Sequence, residues 1–228
     1  MTLIAKRAGG SGMGARLTTE NYLKVMTKSL SESGRERMST GELSRLLGVT
    51  PGTATSMLKR LEAAGHVKRQ SHRGCQLTEK GRAYGIRMLR RHRLVELFLV
   101  KSLELDWTEV HEEAENLEHA ISDRLVDRID SILGHPARDP HGDLIPAKSQ
   151  SQLEASDRAL ASLAPGSGGR VSRVEGDART LAYLKQVGLV PGAEVSLVRI
   201  RAEAGLIDVK IDGKPKRLAI SALKGIFV

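Results

Sequence analysis

The sequence is poor in cysteine, in aromatic residues and in long apolar runs, and each absence excludes a class of protein. Cys75 is the one cysteine among 228 residues, so no disulfide can form within the chain. Aromatic residues make up 3%, which leaves aliphatic residues to form the cores. No run approaches the roughly 18 apolar residues that span a bilayer, and residues 1–16 lack the apolar region of a signal peptide. These absences predict a cytoplasmic protein with no membrane partner.

Positive charge is concentrated in the first third of the chain. Residues 1–84 contain 15 lysines and arginines against 6 acidic residues, whereas residues 85–149 contain 9 against 13. A basic segment is the electrostatic match for a polyanion such as DNA, and an acidic segment suits cations. The distribution indicates two functions, DNA binding first and cation binding second.

Changes in hydrophobic period and composition divide the chain into five expected segments. The fold class that they predict is mainly α with a small β part. Within it, a long helix begins after Thr78 and a second runs from Trp107 to about Leu133. The segments are a flexible tail (1–16), a winged helix-turn-helix (17–84), a helical domain (85–149), a linker (150–169) and an SH3-like β-barrel (170–228).

The expected DNA-reading element consists of two short helices joined by the segment GVTPG and followed by a basic hairpin. Thr50 caps the second helix, and Pro51 occupies its first turn. That helix would enter the major groove, while the hairpin would contact the backbone or the minor groove. Its short side chains predict few direct base contacts and appreciable readout of DNA shape. The predicted DNA-binding residues are Thr53, Thr55, Ser56, Lys59, Arg60 and Arg73.

Histidines and glutamates recur at helical spacing in the middle segment. His92 and Glu96 are separated by one helical turn, so they share a face of the first long helix. Four further donors lie within about 100° of one another on the second helix. Nitrogen and oxygen donors on two packed helices indicate a metal site. Without a thiolate, the set suits Mn, Fe(II), Co or Zn and disfavours Cu(I). The four donors are His111, Glu115, Glu118 and His119.

The chain resembles the diphtheria-toxin-repressor and manganese-transport-regulator family of metal-dependent repressors. The resemblance implies a homodimer that represses metal-homeostasis genes by binding a palindromic operator in double-stranded DNA. The C-terminal segment ISALKGIFV is similar to the SH3-like domain of ferrous-transport accessory proteins. The other segments that carry the resemblance are TTENYLKVM, GCQLTEKGRAYG, RRHRLVELFL, VHEEAENLEHAISD and HPARDPHGDLIP.

The resemblance also implies two metal sites. The residues of the ancillary site would be His92, Glu96, His111 and Asp177. The residues of the activating site would be Glu115, Glu118, His119 and, through its carbonyl oxygen, Asn21.

Two positions depart from the family pattern, and a third distinguishes the manganese sensors from the iron sensors. Thr180 replaces a second donor of the SH3-like domain and is a poor ligand, and Lys24 replaces a glutamate of the manganese branch. Glu115 is an oxygen donor where iron sensors have cysteine, which favours Mn(II) over softer ions. The expected cofactor is therefore Mn(II), with Fe(II) next, and the histidine at position 92 allows two ions per subunit.

Three other functions fit parts of the pattern. A winged-helix regulator of a small organic ligand would bind DNA without metal. A di-metal enzyme would need an open coordination position and a substrate cleft, and the sequence contains no nucleophile–base pair or cofactor fingerprint. A metal-dependent activator has the same sequence pattern as a repressor, because the position of the operator decides between them.

Overall fold

The structure, a computed structural model, describes residues 11–70, 74–150, 153 and 157–228. The chain forms two compact units. The first contains the residues up to His92, with Glu118–Ala120 and the segment that begins at Pro146, and the second contains Arg93–Leu117, Ile121–Ile145 and the residues from 157 onward. Within the described ranges, no helix combines the length and the apolar character that crossing a membrane requires.

The first unit contains the winged helix that the sequence predicts. The two strands pair antiparallel, with Val67 opposite Leu77 and Gln70 opposite Gly74. The first helix begins at Ser11, within the segment 1–16 that the sequence predicts as a flexible tail. The elements in chain order are α1 (Ser11–Ser33), α2 (Thr40–Leu47), α3 (Pro51–Ala63), β1 (Val67–Gln70) and β2 (Gly74–Leu77).

Capping residues set the limits of the helix-turn-helix. Ser39 accepts a hydrogen bond from the backbone N–H of Glu42, at 3.1 Å, and so caps α2. Gly48 ends α2 with a φ of 63°, a left-handed conformation that costs glycine little. Thr50 accepts from the N–H of Thr53, at 3.2 Å, and caps α3. The predicted turn between the two helices is thereby confirmed.

The first helix packs closely on both the winged helix and the start of α4 (Glu79–Leu103). Its buried residues Tyr22, Leu23 and Met26 belong to one core with residues of α2, α3 and the hairpin. Gly85 of α4 lies so near α1 that a Cβ there would be 2.6 Å from the carbonyl oxygen of Leu23. Movements of α1 are therefore coupled sterically to the DNA-reading helix.

The expected continuous helix from Trp107 to Leu133 is wrong. Two helices occupy this region, α5 (Val110–Leu117) and α6 (Asp123–Ile132). Residues 118–120 form a turn, and Ser122 caps α6 by accepting from the N–H of Leu125 at 3.3 Å. A serine cap followed by an acidic first turn favours a new helix over the continuation of the old one. Glu118 and His119 therefore lie in a turn, and a straight-helix angle does not describe them.

The second unit ends in the small β domain that the sequence predicts. Four strands pair in the order β3–β5–β6–β7, and β4 pairs with β8. Leu160, in the segment that has linker composition, is fully buried in the domain's core. The elements are β3 (Gly168–Arg170), β4 (Arg173–Val174), α7 (Ala178–Val187), β5 (Glu194–Arg201), β6 (Leu206–Ile211), β7 (Lys214–Ala219) and β8 (Ile226–Phe227).

Candidate metal centres and DNA-binding face

Glu118 is the centre of a polar cluster inside the first unit, and its side chain is fully buried. One carboxylate oxygen, Oε1, lies 2.6 Å from Nζ of Lys24 on α1. The other, Oε2, lies 2.7 Å from Nδ1 of His92 on α4. A guanidinium N–H of Arg91 donates to the backbone carbonyl of Glu118 at 3.0 Å. The turn at residue 118 is thus tied to both α1 and α4.

His119 is oriented by Glu20, a residue that the sequence interpretation missed. Nδ1 of His119 lies 2.6 Å from Oε2 of Glu20, and the hydroxyl of Tyr84 donates to Oε1 of Glu20 at 3.0 Å. A carboxylate accepts, so the proton belongs on Nδ1 and the lone pair on Nε2. Nε2 is buried and has no hydrogen-bond partner among the described residues. It lies 3.4 Å from Oε1 of Glu118, and this arrangement suits a cation.

Asn21 has the chemistry expected of a ligand from α1. Its carbonyl oxygen, Oδ1, is buried and makes no hydrogen bond within the part of the chain that the structure describes. A buried acceptor without a partner costs about 1–3 kcal/mol, and a cation would satisfy it.

Glu20 and Lys24 could have been found from the sequence. Their i,i+4 spacing indicates that both side chains share a face of α1.

The second unit contains a separate cluster of buried metal-ligand groups formed by Glu96, Asp139 and His141. One donor atom from each lies within 4.8 Å of the others. Nε2 of His141 lies 2.8 Å from the carbonyl oxygen of Trp107, so Nε2 carries the proton and donates it there. Nδ1, 3.6 Å from Oε2 of Glu96, is then the lone-pair nitrogen. The three side chains therefore offer one nitrogen and carboxylate oxygens in a protected position.

Burial and like charge perturb the acidities of this cluster. Burial, with the charges of Glu96 and Asp143, raises the pKa of Asp139 to about 7, although Arg93 opposes the shift. Burial alone would lower the pKa of His141, but the negative charges of Glu96 and Asp139 favour the protonated ring and raise it. A buried carboxyl group whose ionisation is opposed by neighbouring carboxylates is typical of a site that binds a cation.

The other predicted ligands, His111, Glu115 and Asp177, belong to the second unit. Nδ1 of His111 lies 3.1 Å from Oε1 of Glu96, and Nε2 lies 3.7 Å from Glu115, while the His111 side chain is 62% exposed. Asp177 caps α7 by accepting from the N–H of Thr180 at 2.8 Å. His111 and Asp177 both line a cleft of about 510 Å³.

Of the predicted ancillary ligands, Glu96 contacts His111 within the second unit, and His92 contacts Glu118 within the first. Sequence reasoning missed Asp139 and His141, although both occur in the segment HPARDPHGDLIP. That segment has the composition of a loop, and only the fold brings it to Glu96.

The recognition helix presents most of the predicted DNA contacts to solvent. Thr53, Ser56, Lys59 and Arg60 of α3 are exposed. Thr55 is partly buried, and its hydroxyl donates to the carbonyl of Pro51 at 2.8 Å, which leaves it less available to a base. The sixth predicted contact, at position 73, lies outside the described residues.

Comparison with known proteins identifies the family. Three family models match in succession: "Iron dependent repressor, N-terminal DNA binding domain" over residues 17–75, "Iron dependent repressor, metal binding and dimerisation domain" over 78–147, and "FeoA domain" over 158–228. The iron-dependent repressor IdeR of Mycobacterium tuberculosis is 33% identical over 193 residues, which cover 79% of this chain and 83% of that protein. The chain belongs to the iron-dependent repressor family.

Solved structures of related repressors agree with this assignment. A structure described as a manganese-dependent transcriptional repressor in complex with manganese has a TM-score of 0.84 and 38% identity, and the match covers 92% of this chain and 98% of that one. ScaR with bound Zn²⁺ has a TM-score of 0.74 and 32% identity, with 92% of this chain and 97% of that chain covered. The chain is accordingly a metal-dependent, DNA-binding transcriptional repressor and not an enzyme.

Proposed function

We propose that this repressor binds a palindromic operator as a homodimer when Mn(II) or Fe(II) is bound, and so controls genes of metal homeostasis. The observation that carries the proposal is the position of α1. One side of α1 contributes Tyr22, Leu23 and Met26 to the winged-helix core. Another contributes Glu20 and Lys24, which contact His119 and Glu118. A change in the Glu118–His119 turn therefore reaches the recognition helix through a single rigid element.

We assign metal activation to the cluster of the first unit. Nε2 of His119, the carboxylate of Glu118 and Oδ1 of Asn21 would hold the ion, and Glu20 would keep His119 in the metal-binding tautomer. A bound divalent ion supplies a positive charge that these donors share. It stabilises the DNA-competent arrangement to the extent that it binds that arrangement better than others. Glu115 lies in the second unit beside His111, and its part in activation stays a prediction from the sequence.

We assign a second, structural or regulatory ion to Glu96, Asp139 and His141. Their buried donors and the raised pKa of Asp139 support a cation there. His111, through its contact with Glu96, could add a second imidazole. Asp177 already caps α7 through Oδ1, so as a ligand it would keep the cap only by using its other carboxylate oxygen.

The donor chemistry favours Mn(II), with Fe(II) next. Both clusters offer carboxylates and imidazole, and the first also offers the amide oxygen of Asn21. Neither contains a thiolate, since Cys75 is buried in the winged helix. Hard oxygen donors suit Mn(II), and mixed imidazole–carboxylate sets suit Fe(II) as well. As a repressor that acts on chromosomal DNA, the protein is expected in the cytoplasm.

The proposal is tested by fluorescence anisotropy with operator-type DNA at fixed salt. Chelator-treated protein is titrated with Mn(II), anaerobic Fe(II) or Zn(II), and we expect tight DNA binding only with metal. His119→Ala should abolish the metal response. His135→Ala removes an exposed histidine that pairs with Asp130 at 2.8 Å, far from α1 in sequence, and should leave the response intact. Equal binding with and without metal would contradict the proposal and favour a regulator of an organic ligand.

A further inference from the structure

Lys24 and Glu118 form a buried ion pair, in which the protein itself supplies a cation, the Lys24 ammonium group, to the Glu118 carboxylate. Nζ of Lys24 lies 2.6 Å from Oε1 of Glu118, and the two side chains are 7% and 0% exposed. Charged groups so deeply buried are costly unless they are paired. Lys24 therefore has a specific partner, and that partner is the residue central to the proposed activating site.

We infer that Lys24 occupies the place of one cation in the Glu118 cluster, so that this cluster binds a single divalent ion per subunit. The inference rests on the proposed function. Glu118 has two oxygens: Lys24 neutralises Oε1, and His92 contacts Oε2. A carboxylate that bridges two metal ions would use both oxygens for metal, but here one of them already has a cationic partner.

The charges of the cluster oppose a second divalent ion. Glu20 and Glu118 contribute two negative charges, while Lys24 and the buried guanidinium of Arg91 contribute two positive charges, so these four groups cancel. One divalent ion therefore leaves all of its own charge uncompensated by these groups. A second would double that excess among buried side chains, where repulsion between like charges is strong.

Replacing Lys24 with glutamate would invert this arrangement. Lys24→Glu removes the tethered cation and adds a carboxylate on the same face of α1. We expect Lys24→Glu to bind one more Mn(II) per subunit than the natural protein, as counted by metal analysis after equilibrium dialysis. Ions at the Glu96 cluster are common to both proteins and cancel in the difference.

Electron paramagnetic resonance provides a readout that does not depend on DNA binding. Mn(II) bound to the natural protein should give signals of isolated ions, because no two ions share a carboxylate. Lys24→Glu should add the signal of an exchange-coupled pair. The matched control is Lys28→Glu, which makes the same charge change one turn later on α1, at a side chain that is 40% exposed and 3.7 Å from Glu32. It should keep the natural stoichiometry and isolated-ion signals.

A second variant keeps the inference testable if Lys24→Glu does not fold. Lys24→Met keeps the aliphatic length and removes the charge. Without Lys24, Mn(II) no longer meets a nearby ammonium group at Glu118, so its Kd should fall about tenfold. The metal-free variant should also have a lower Tm than the natural protein, with saturating Mn(II) restoring most of the loss.

The outcomes separate the inference from the proposed function. A coupled pair in the natural protein, or unchanged stoichiometry in a folded Lys24→Glu, overturns the inference and leaves the metal-dependent repressor standing. An unchanged Kd in Lys24→Met likewise overturns it. Failure of the natural protein to bind any divalent ion overturns the proposed function and the inference with it.

Discussion

Glu20 on α1 and His119 in the turn after α5 are 99 positions apart in sequence, yet their side chains are joined across 2.6 Å. This contact links the first helix of the winged helix to a candidate metal ligand. It also determines which nitrogen of His119 can accept a cation.

Glu20→Gln should weaken metal activation although Glu20 need not touch the ion. The amide can still contact His119, but it cannot stabilise one tautomer as a carboxylate does, and such orienting partners are worth 10–100-fold in metal affinity. We expect the Mn(II) concentration for half-maximal DNA binding to rise by about that factor. The measurement is an anisotropy titration at fixed salt. Glu32→Gln, a partly exposed position later on α1, is the control, and an equal response in both variants would argue against the tautomer role.

Metal binding at the second cluster should strengthen as pH rises through neutrality. With a pKa of about 7, the Asp139 carboxyl holds a proton below that pH, and the raised pKa of His141 acts in the same direction. Bound metal must displace these protons. Calorimetry in two buffers of different ionisation enthalpy should therefore show proton release that declines above pH 8. Asp139→Asn should release fewer protons and bind metal more weakly, while Glu112→Gln, at an exposed site, should behave as the natural protein does.

Asp139 should also make the metal-free protein less stable at higher pH. The folded pKa of Asp139 is raised above its ordinary value of 3.8, so between about pH 4 and 7 the folded state holds more protons than the unfolded state. The stabilisation is complete below pH 4 and is lost as pH rises through 7. The difference in Tm between the natural protein and Asp139→Asn, measured after chelation, should change steadily over that range. A constant difference would show that Asp139 ionises normally.

Gly85→Ala should separate α1 from α4 and impair both stability and activation. The added Cβ would lie 2.6 Å from the carbonyl oxygen of Leu23, a backbone atom that cannot move alone. Overpacking of this kind costs about 1–3 kcal/mol. Gly41→Ala in α2 meets no atom within 4 Å and serves as the control, because it should leave the unfolding free energy unchanged or slightly improved. Denaturant unfolding measures both.

Lys59→Ala should weaken DNA binding without changing sequence preference. Lys59 is exposed on α3, and a phosphate contact there would release about one counterion, so the salt slope of log K should fall by about 1. Lys101→Ala, at an exposed position near the end of α4, should leave the slope unchanged. If Lys59→Ala altered discrimination between operators, Lys59 would be a base contact.

Local signals predicted much of the fold correctly. The cap at Thr50, the connecting segment GVTPG and the basic hairpin act over a few residues, and the structure has the expected elements there. The break between α5 and α6 was missed because apolar spacing continues across it, although Ser122 marked it. The domain limits and the ligand roles inferred from the resemblance stay predictions.

The sequence by itself determined the winged helix, the helical middle, the β domain and the stock of imidazole and carboxylate donors, because these depend on periodicity, caps and composition. Only the tertiary structure decided which donors meet. It brings Glu20 to His119, Lys24 to Glu118, and Asp139 with His141 to Glu96. Such contacts join residues from distant parts of the chain, and they depend on how α1, α4 and the 139–141 loop pack. No local pattern encodes that packing.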